Sequence, residues 1–321
     1  MISSTEFQLQ YRAVKEKIGL FDLPNRGKIE VRGEEAREFL NNLLTNDIKG
    51  LKVPDICYSA LLDQKGKVLA DLYVWSQPDR FILETEPFLF PIIQEKLHTY
   101  LVSEQVTFQD RTHDYFVIAI EGPQSDLLHN RITPLQSLGI LVGERSMIGG
   151  KGYSLMIPHE VFGDFFPKLL KEGGDFGMFL VDPLVQECLR IEAGIPRWGQ
   201  DFTQENLLPE ARLFRAVSFT KGCYIGQEII ARMKSFAHPN RQLVGLKINS
   251  EIVPEPKHKV FDVNKEVGWI TSSCFSPEWT SSLALGYVGR PYAQERRSLE
   301  LEQHHRRVSV VVVSLPGLPI G

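Results

Sequence analysis

Lys221-Gly222-Cys223-Tyr224-Ile225-Gly226-Gln227-Glu228 reads as a Gly–x–x–x–Gly loop that runs into a helix. On that helix Glu228 and Arg232 stand four residues apart and can pair. Cys223 then lies near a helix N-terminus and two residues from Lys221. Both features favour a thiolate, because positive potential stabilises the charged form. On the residues alone, Cys223 is as well read as a small buried cysteine in a tight turn, since the motif lacks a local histidine base. The stretch offers too few soft ligands for a metal, and none is expected.

Upstream of this loop the chain mixes strands and helices without strict alternation, which indicates an α+β body rather than a doubly wound sheet. Lys28 to Arg32 alternates like a strand and Gly33 closes it. Ala36, Phe39, Leu40, Leu43 and Leu44 then fall on one helical stripe. Strands are predicted at Val68–Trp75 and Phe81–Thr85, around the Gln77-Pro78-Asp79 turn. Leu89, Ile92, Ile93, Leu97, Tyr100 and Leu101 predict a helix with Pro91 in its first turn. Tyr115–Ile120 and Tyr153–Ile157 are further strands, the second followed by a helix carrying Val161, Phe165, Leu169 and Leu170. Asp182-Pro183 is a capped helix start, and Gly194 suits a left-handed stop after Ala193. Downstream of the loop the texture changes. Leu243–Ile248, Val267–Thr271, Leu283–Val288 and Val308–Val313 are short β-rich runs between turns, as in a small β-barrel. Ala237-His238-Pro239-Asn240 is the candidate joint, giving a body over 1–236 and a barrel over 241–321.

The chain has 321 residues, a net charge of -4, 43% hydrophobic and 24% charged residues, which is ordinary for a globular protein of two or three compact units. The slight acidity argues against direct nucleic-acid binding, which needs a basic stripe. No secretory or transit segment is read at the N-terminus, and no apolar run approaches the roughly 20 residues that span a bilayer. Cys57, Cys188, Cys223 and Cys274 are scattered without a C-x-x-C pair, which fits a reducing compartment. A cytoplasmic monomer with no membrane contact is expected. Gly149-Gly150-Lys151-Gly152 lacks P-loop spacing and reads as a turn. His304-His305-Arg306-Arg307 reads as a solvated loop before the last strand.

Two carboxylates stand out. In the Val68–Trp75 strand, Leu69, Asp71, Tyr73 and Trp75 share one face and Val68, Ala70, Leu72 and Val74 the other. Both faces are largely apolar, so Asp71 is costly there without a partner; the alternative is an edge strand with Asp71 in water. Glu192 shares a helical stripe with Val185, Cys188 and Leu189, and it sits at a helix C-terminus, where the dipole disfavours its charge. It needs a donor, and Arg190 or Arg197 is one candidate.

The run KGCYIGQE resembles the signature of YgfZ-type proteins, a branch of the folate-binding family that includes the glycine-cleavage T-protein, an aminomethyltransferase. The resemblance extends over nearly the whole chain. Its pieces include Gly19-Leu20-Phe21-Asp22, Gly27 to Val31, Phe39 to Asp47, Leu69-Ala70-Asp71-Leu72, Leu189 to Gly194, Glu266-Val267-Gly268, Ser272 to Pro277 and Ala284 to Val288. It implies a three-lobed cloverleaf around a central folate hole, two lobes in the body, and a C-terminal β-barrel. It implies tetrahydrofolate as the bound cofactor. Asp71 matches the aspartate beside the reacting nitrogens and becomes the acid/base candidate. Glu192 matches the pterin carboxylate, whose partner is a guanidine-like N–H edge. Tyr58 and Trp198 are candidate pterin walls, although either suits a core equally. Arg232, Lys234 and Arg241 are candidates for the glutamate tail or are solvated charges. Two departures argue against true aminomethyl transfer: Arg145-Ser146-Met147-Ile148-Gly149-Gly150 replaces the transferase's arginine-threonine-glycine-tyrosine-threonine-glycine segment, and Glu86 stands where an asparagine is expected. Cys223 itself points the same way. The function expected first is therefore a tetrahydrofolate-binding factor supporting iron–sulfur cluster assembly or repair in client enzymes, including tRNA-modifying ones. The alternatives are a folate-dependent aminomethyltransferase or demethylase, and a non-catalytic folate sensor.

Overall fold

A computed structural model describes residues 2–132, 137–235, 239–303 and 306–320. The chain divides into two compact units. The first comprises 1–64, 69–185 and 215–227, and the second 65–68, 186–214 and 228–321.

The first unit holds two five-stranded sheets. In one, the strand order is Asp55–Leu62, Val68–Ser76, Phe81–Thr85, Gly27–Arg32, Thr107–Asp110. The Asp71 strand is thus internal, and the edge-strand alternative is corrected. Its apolar pattern explains why: Val68, Ala70, Leu72 and Val74 are all buried, while Leu69, Asp71 and Tyr73 on the opposite face are half-buried. The expected stripe forms the helix Ala36–Leu43, with Ala36, Phe39, Leu40 and Leu43 inward. Pro91 sits in the first turn of the helix Phe90–Tyr100, where its missing N–H costs nothing.

The second sheet runs Phe179–Leu180, Gly19–Asp22, Tyr115–Glu121, Gly152–Pro158, Leu141–Glu144. The helix His159–Asp175 packs Phe165 and Leu169 onto Ile118, Ile120, Leu155 and Ile157. Leu170, assigned to that stripe from the sequence, is instead exposed. A helix not anticipated, Ser4–Glu16, starts at Ser3, whose hydroxyl accepts from the Glu6 N–H at 3.2 Å. Its signal was legible as a Ser-x-x-Glu capping pattern.

The helix Pro183–Ala193 begins where Asp182 accepts from the Leu184 N–H at 2.9 Å and ends at Gly194, φ +68°. In the second unit, six strands close into a barrel: Arg241–Ile248, Ser281–Gly289, Lys265–Ser276, Lys259–Asp262, Ser298–Gln303 and Arg306–Val313. Val244, Leu246, Ile270, Leu301, Val310 and Val312 fill its core. Four of these strands match the sequence reading; Lys259–Asp262 and Ser298–Gln303 are short and charged, so they did not stand out as β-rich runs. Ala237 and His238 of the candidate joint lie outside the described residues, as do His304 and His305. No helix among the described residues is long and apolar enough to cross a membrane.

Candidate active site

Asp71 projects from an internal strand of the first sheet. Its Oδ2 accepts the Tyr58 hydroxyl at 2.8 Å, while Oδ1 is buried without a partner. Burial pushes this carboxyl up to about 6, against the lowering effect of the Tyr58 hydrogen bond and of Arg26. A carboxyl in that range exchanges a proton near neutrality, which a solvated aspartate does not. Tyr58 and Tyr73 face one another with ring centres 5.0 Å apart. The strand is fixed to its neighbour by the Thr85 hydroxyl, which donates to the Asp71 carbonyl at 2.9 Å.

Beside Asp71 lies a buried ionic cluster that the sequence reading did not find. Glu84 accepts from Arg26 Nε at 2.9 Å, from Arg145 Nη1 at 3.0 and 2.8 Å, and from Trp75 Nε1 at 2.8 Å. Burial alone would raise Glu84, but the guanidiniums of Arg145 and Arg26 outweigh it and hold the carboxyl near about 2. The Arg145 guanidinium lies 3.6 Å over the Tyr73 ring centre. Arg26 Nη1 also donates to Glu86 Oε1 at 2.5 Å. The only advance sign of the cluster was a carboxylate inside the apolar run Phe81-Ile82-Leu83-Glu84-Thr85. Arg145, which opens the segment that departs from the transferase's after its arginine, is here a structural clamp. The residues after it are held too: the Ser146 hydroxyl and the Met147 N–H donate to Glu121 at 2.8 and 2.7 Å.

Glu192 is buried in the second unit, on the stripe read from the sequence. Ser276 Oγ donates to its Oε1 at 2.5 Å and Cys188 Sγ at 3.8 Å. The arginines offered as partners are engaged elsewhere. Arg190 donates to Glu187 and, at 2.6 Å, to Asp201, and Arg197 pairs with Glu187 at 3.1 Å. Asp201 also accepts from Thr271 and Ser272 hydroxyls at 2.6 and 2.7 Å. Trp198 is buried and stacks on Phe202 at 5.6 Å, with its indole N–H unpartnered.

The eight-residue motif has two kinds of residue. Lys221 donates its ammonium to the carbonyls of Asn41, Leu44 (2.6 Å) and Asn46 (2.9 Å), at and just beyond the C-terminal end of the Ala36–Leu43 helix. Burial lowers this lysine to about 8. Tyr224 is buried beneath it, with the ammonium 5.1 Å from the ring centre. Gly226 has φ +82°, and a Cβ there would stand 2.6 Å from the Asp63 carbonyl oxygen. Gly222 has open space around it, and Cys223 beside it is exposed. Cys57 and Cys274 are half-buried and Cys188 is buried. Burial pushes Cys57 up to about 12, and Cys188 is raised by its hydrogen bond with Cys274 and by burial. Gln227 opens the helix Gln227–Ser235, on which Arg232 pairs with Glu228 at 2.6 Å, both exposed. Arg241 pairs with Glu210 at 3.2 Å and lies over Trp269. The side chain of Lys234 is outside the described residues. The structure therefore joins Tyr58 to Asp71 directly; Glu192, Trp198 and Arg232 belong to the second unit.

A family model for the GCVT N-terminal domain matches residues 4–221, and one for the glycine cleavage T-protein C-terminal barrel domain matches 241–317. The aminomethyltransferase of Desulforamulus reducens is 27% identical, over 96% of this chain and 88% of the relative. That of Chloroherpeton thalassium is 26% identical, over 97% and 90%. The crystal structure of the glycine cleavage system aminomethyltransferase T from Bartonella henselae matches with a TM-score of 0.87 at 23% identity, over 99% of this chain and 91% of that one. This last likeness establishes the shared fold, α+β with a closed terminal barrel.

Proposed function

We propose, from the premise that the chain belongs to the glycine cleavage T-protein family, that it is a folate-dependent one-carbon transferase of the aminomethyltransferase type. The relatives' names fall on this side of the sequence expectation rather than on the iron–sulfur side. The observation that carries the reading is Asp71, a carboxyl anchored on one oxygen by Tyr58, unpartnered on the other and raised to about 6.

Tetrahydrofolate, when bound, supplies neighbouring nitrogens that carry a one-carbon unit. Asp71 Oδ1 suits it as an acceptor for an N–H that the protein itself does not provide. In this reading Tyr58 orients the carboxyl and Asp71 takes and returns a proton at Oδ1. Positioned proton transfer of this kind contributes about 10²–10⁴-fold. Glu192 is assigned to the pterin's N–H edge and Trp198 to its wall, with Arg232 near the glutamate tail. The test is incubation with tetrahydrofolate and an aminomethyl-loaded lipoyl carrier, following methylene-tetrahydrofolate and ammonia. Asp71→Asn should lower the rate by about 10²–10⁴, and absence of transfer by the wild type excludes the transferase reading.

Cys223 supports a second reading, folate-dependent maintenance of iron–sulfur client enzymes. It is exposed, whereas the other three cysteines are buried or half-buried. It should alkylate fastest of the four at pH 7, since it is the most accessible of them. In a deletion strain, Cys223→Ala should then keep folate binding and fail to restore iron–sulfur enzyme activity. Full restoration removes this reading.

A further inference from the structure

Arg26 is forked between two acids, Glu84 of the strand Phe81–Thr85 and Glu86 just past that strand's end. Its Nε meets Glu84 at 2.9 Å and its Nη1 meets Glu86 at 2.5 Å. Its guanidinium is almost wholly buried, and Asp71 has no ion pair with it or with any other cation among the described residues. Thr85, the residue before Glu86, bonds the Asp71 carbonyl, so Glu86 is held next to the Asp71 strand. We propose that Glu86 is a positioning residue for Asp71: by occupying Arg26 it withholds that cation, and so leaves Asp71 the carboxyl of this cluster that carries and releases a proton.

The surroundings of Asp71 support this assignment. Tyr58 on the next strand donates to Oδ2, and Tyr73 shares the face of Asp71. Arg145 donates through Nη1 to Glu84 and lies over the Tyr73 ring, while its Nε and Nη2 are buried without a hydrogen-bond partner. Lys28 donates to the carbonyls of Arg26 and Thr112 and acts on Glu84. Arg215 acts on Tyr58. The charges that act on Asp71 itself are Arg26, which favours the carboxylate, and Glu86, which opposes it. Removing the charge of Glu86 therefore changes two things in one direction: a like charge disappears and Arg26 is released towards Asp71. A neutral residue at position 86 would leave a carboxylate at Asp71, able to accept a proton only weakly.

This inference rests on the acid/base role given to Asp71 above. Its test uses the ligand-free full chain: the ¹³C signal of the Asp71 side-chain carboxyl, assigned by its loss in Asp71→Asn, followed against pH. Glu86→Gln and Glu86→Ala should each lower the titration midpoint by about one pH unit or more, a tenfold fall in proton affinity. Glu86→Asp, which keeps the charge, should restore it towards the wild-type value. Glu86 is partly exposed, so these variants should fold, and thermal melts establish that they do. A midpoint unmoved or raised in folded Glu86→Gln or Glu86→Ala overturns the proposal. A lowered midpoint in a protein that fails to bind tetrahydrofolate would keep the positioning role and sink the folate reading; folate binding with an unmoved midpoint would do the reverse.

Discussion

Asp71 is poised at a thermodynamic expense that can be measured. Its folded carboxyl titrates near 6, above the ordinary value of 3.8, because burial disfavours the charge. The folded state thus holds a proton that the unfolded chain has already lost between those values, and stability falls as pH rises through that window. Asp71→Asn removes the penalty. It should raise stability at pH 7 by about 1–2 kcal/mol after allowance for solvent screening, a few degrees in Tm, with the gain vanishing near pH 4. Thermal melts at the two pH values check this; a variant less stable than wild type at pH 7 would mean that the charged form is better solvated than its setting implies. Asp71 could be picked out in the sequence because a carboxylate in a doubly apolar strand demands an explanation. Its neighbours could not. Arg26 and Arg145 reach Glu84 across 58 and 61 residues of chain, and no local pattern encodes such a meeting.

At the scale of elements, the motif loop separates residues that build from residues that present. Lys221 closes the end of one helix, Tyr224 is packed, and Gly226 turns the chain against the Asp63 carbonyl. Gly226→Ala should therefore cost about 1–3 kcal/mol, through a left-handed backbone and a clash with backbone rather than a mobile side chain. Gly222→Ala meets open space and should stay within about 0.5 kcal/mol of wild type. Denaturant melts of the pair decide it; equal effects would contradict this division of the loop. The sequence offered the Gly–x–x–x–Gly spacing and the helix after it. It gave no sign that Lys221 faces carbonyls of a distant helix rather than the Cys223 thiol, since a side chain's direction in a loop is set by tertiary contacts. The barrel shows the same limit: its apolar strands were legible as short β-rich runs between turns, whereas the charged strand Ser298–Gln303 takes its conformation from pairing with Arg306–Val313.

Across the whole molecule, each unit carries its own buried carboxylate, Asp71 in the first and Glu192 in the second, and the first unit also holds a buried ion cluster. Glu84 is held near about 2 by Arg145 and Arg26 despite burial. Its stabilising contribution is present above the ordinary carboxylate value of 4.5 and is lost as pH falls towards about 2. Glu84→Gln leaves the buried Arg145 guanidinium without its anion and Arg26 with Glu86 alone, and should destabilise by about 3–5 kcal/mol at pH 7, with the deficit shrinking in acid. The measurement that meets the central claim most directly is calorimetric titration of the purified chain with tetrahydrofolate. Saturable one-to-one binding is predicted, weakened by roughly 1.5–3 kcal/mol in Glu192→Ala through loss of a charged hydrogen-bonded contact and retained in Cys223→Ala. Absence of any binding heat from the folded wild-type protein, at concentrations where a micromolar complex would form, would contradict the account.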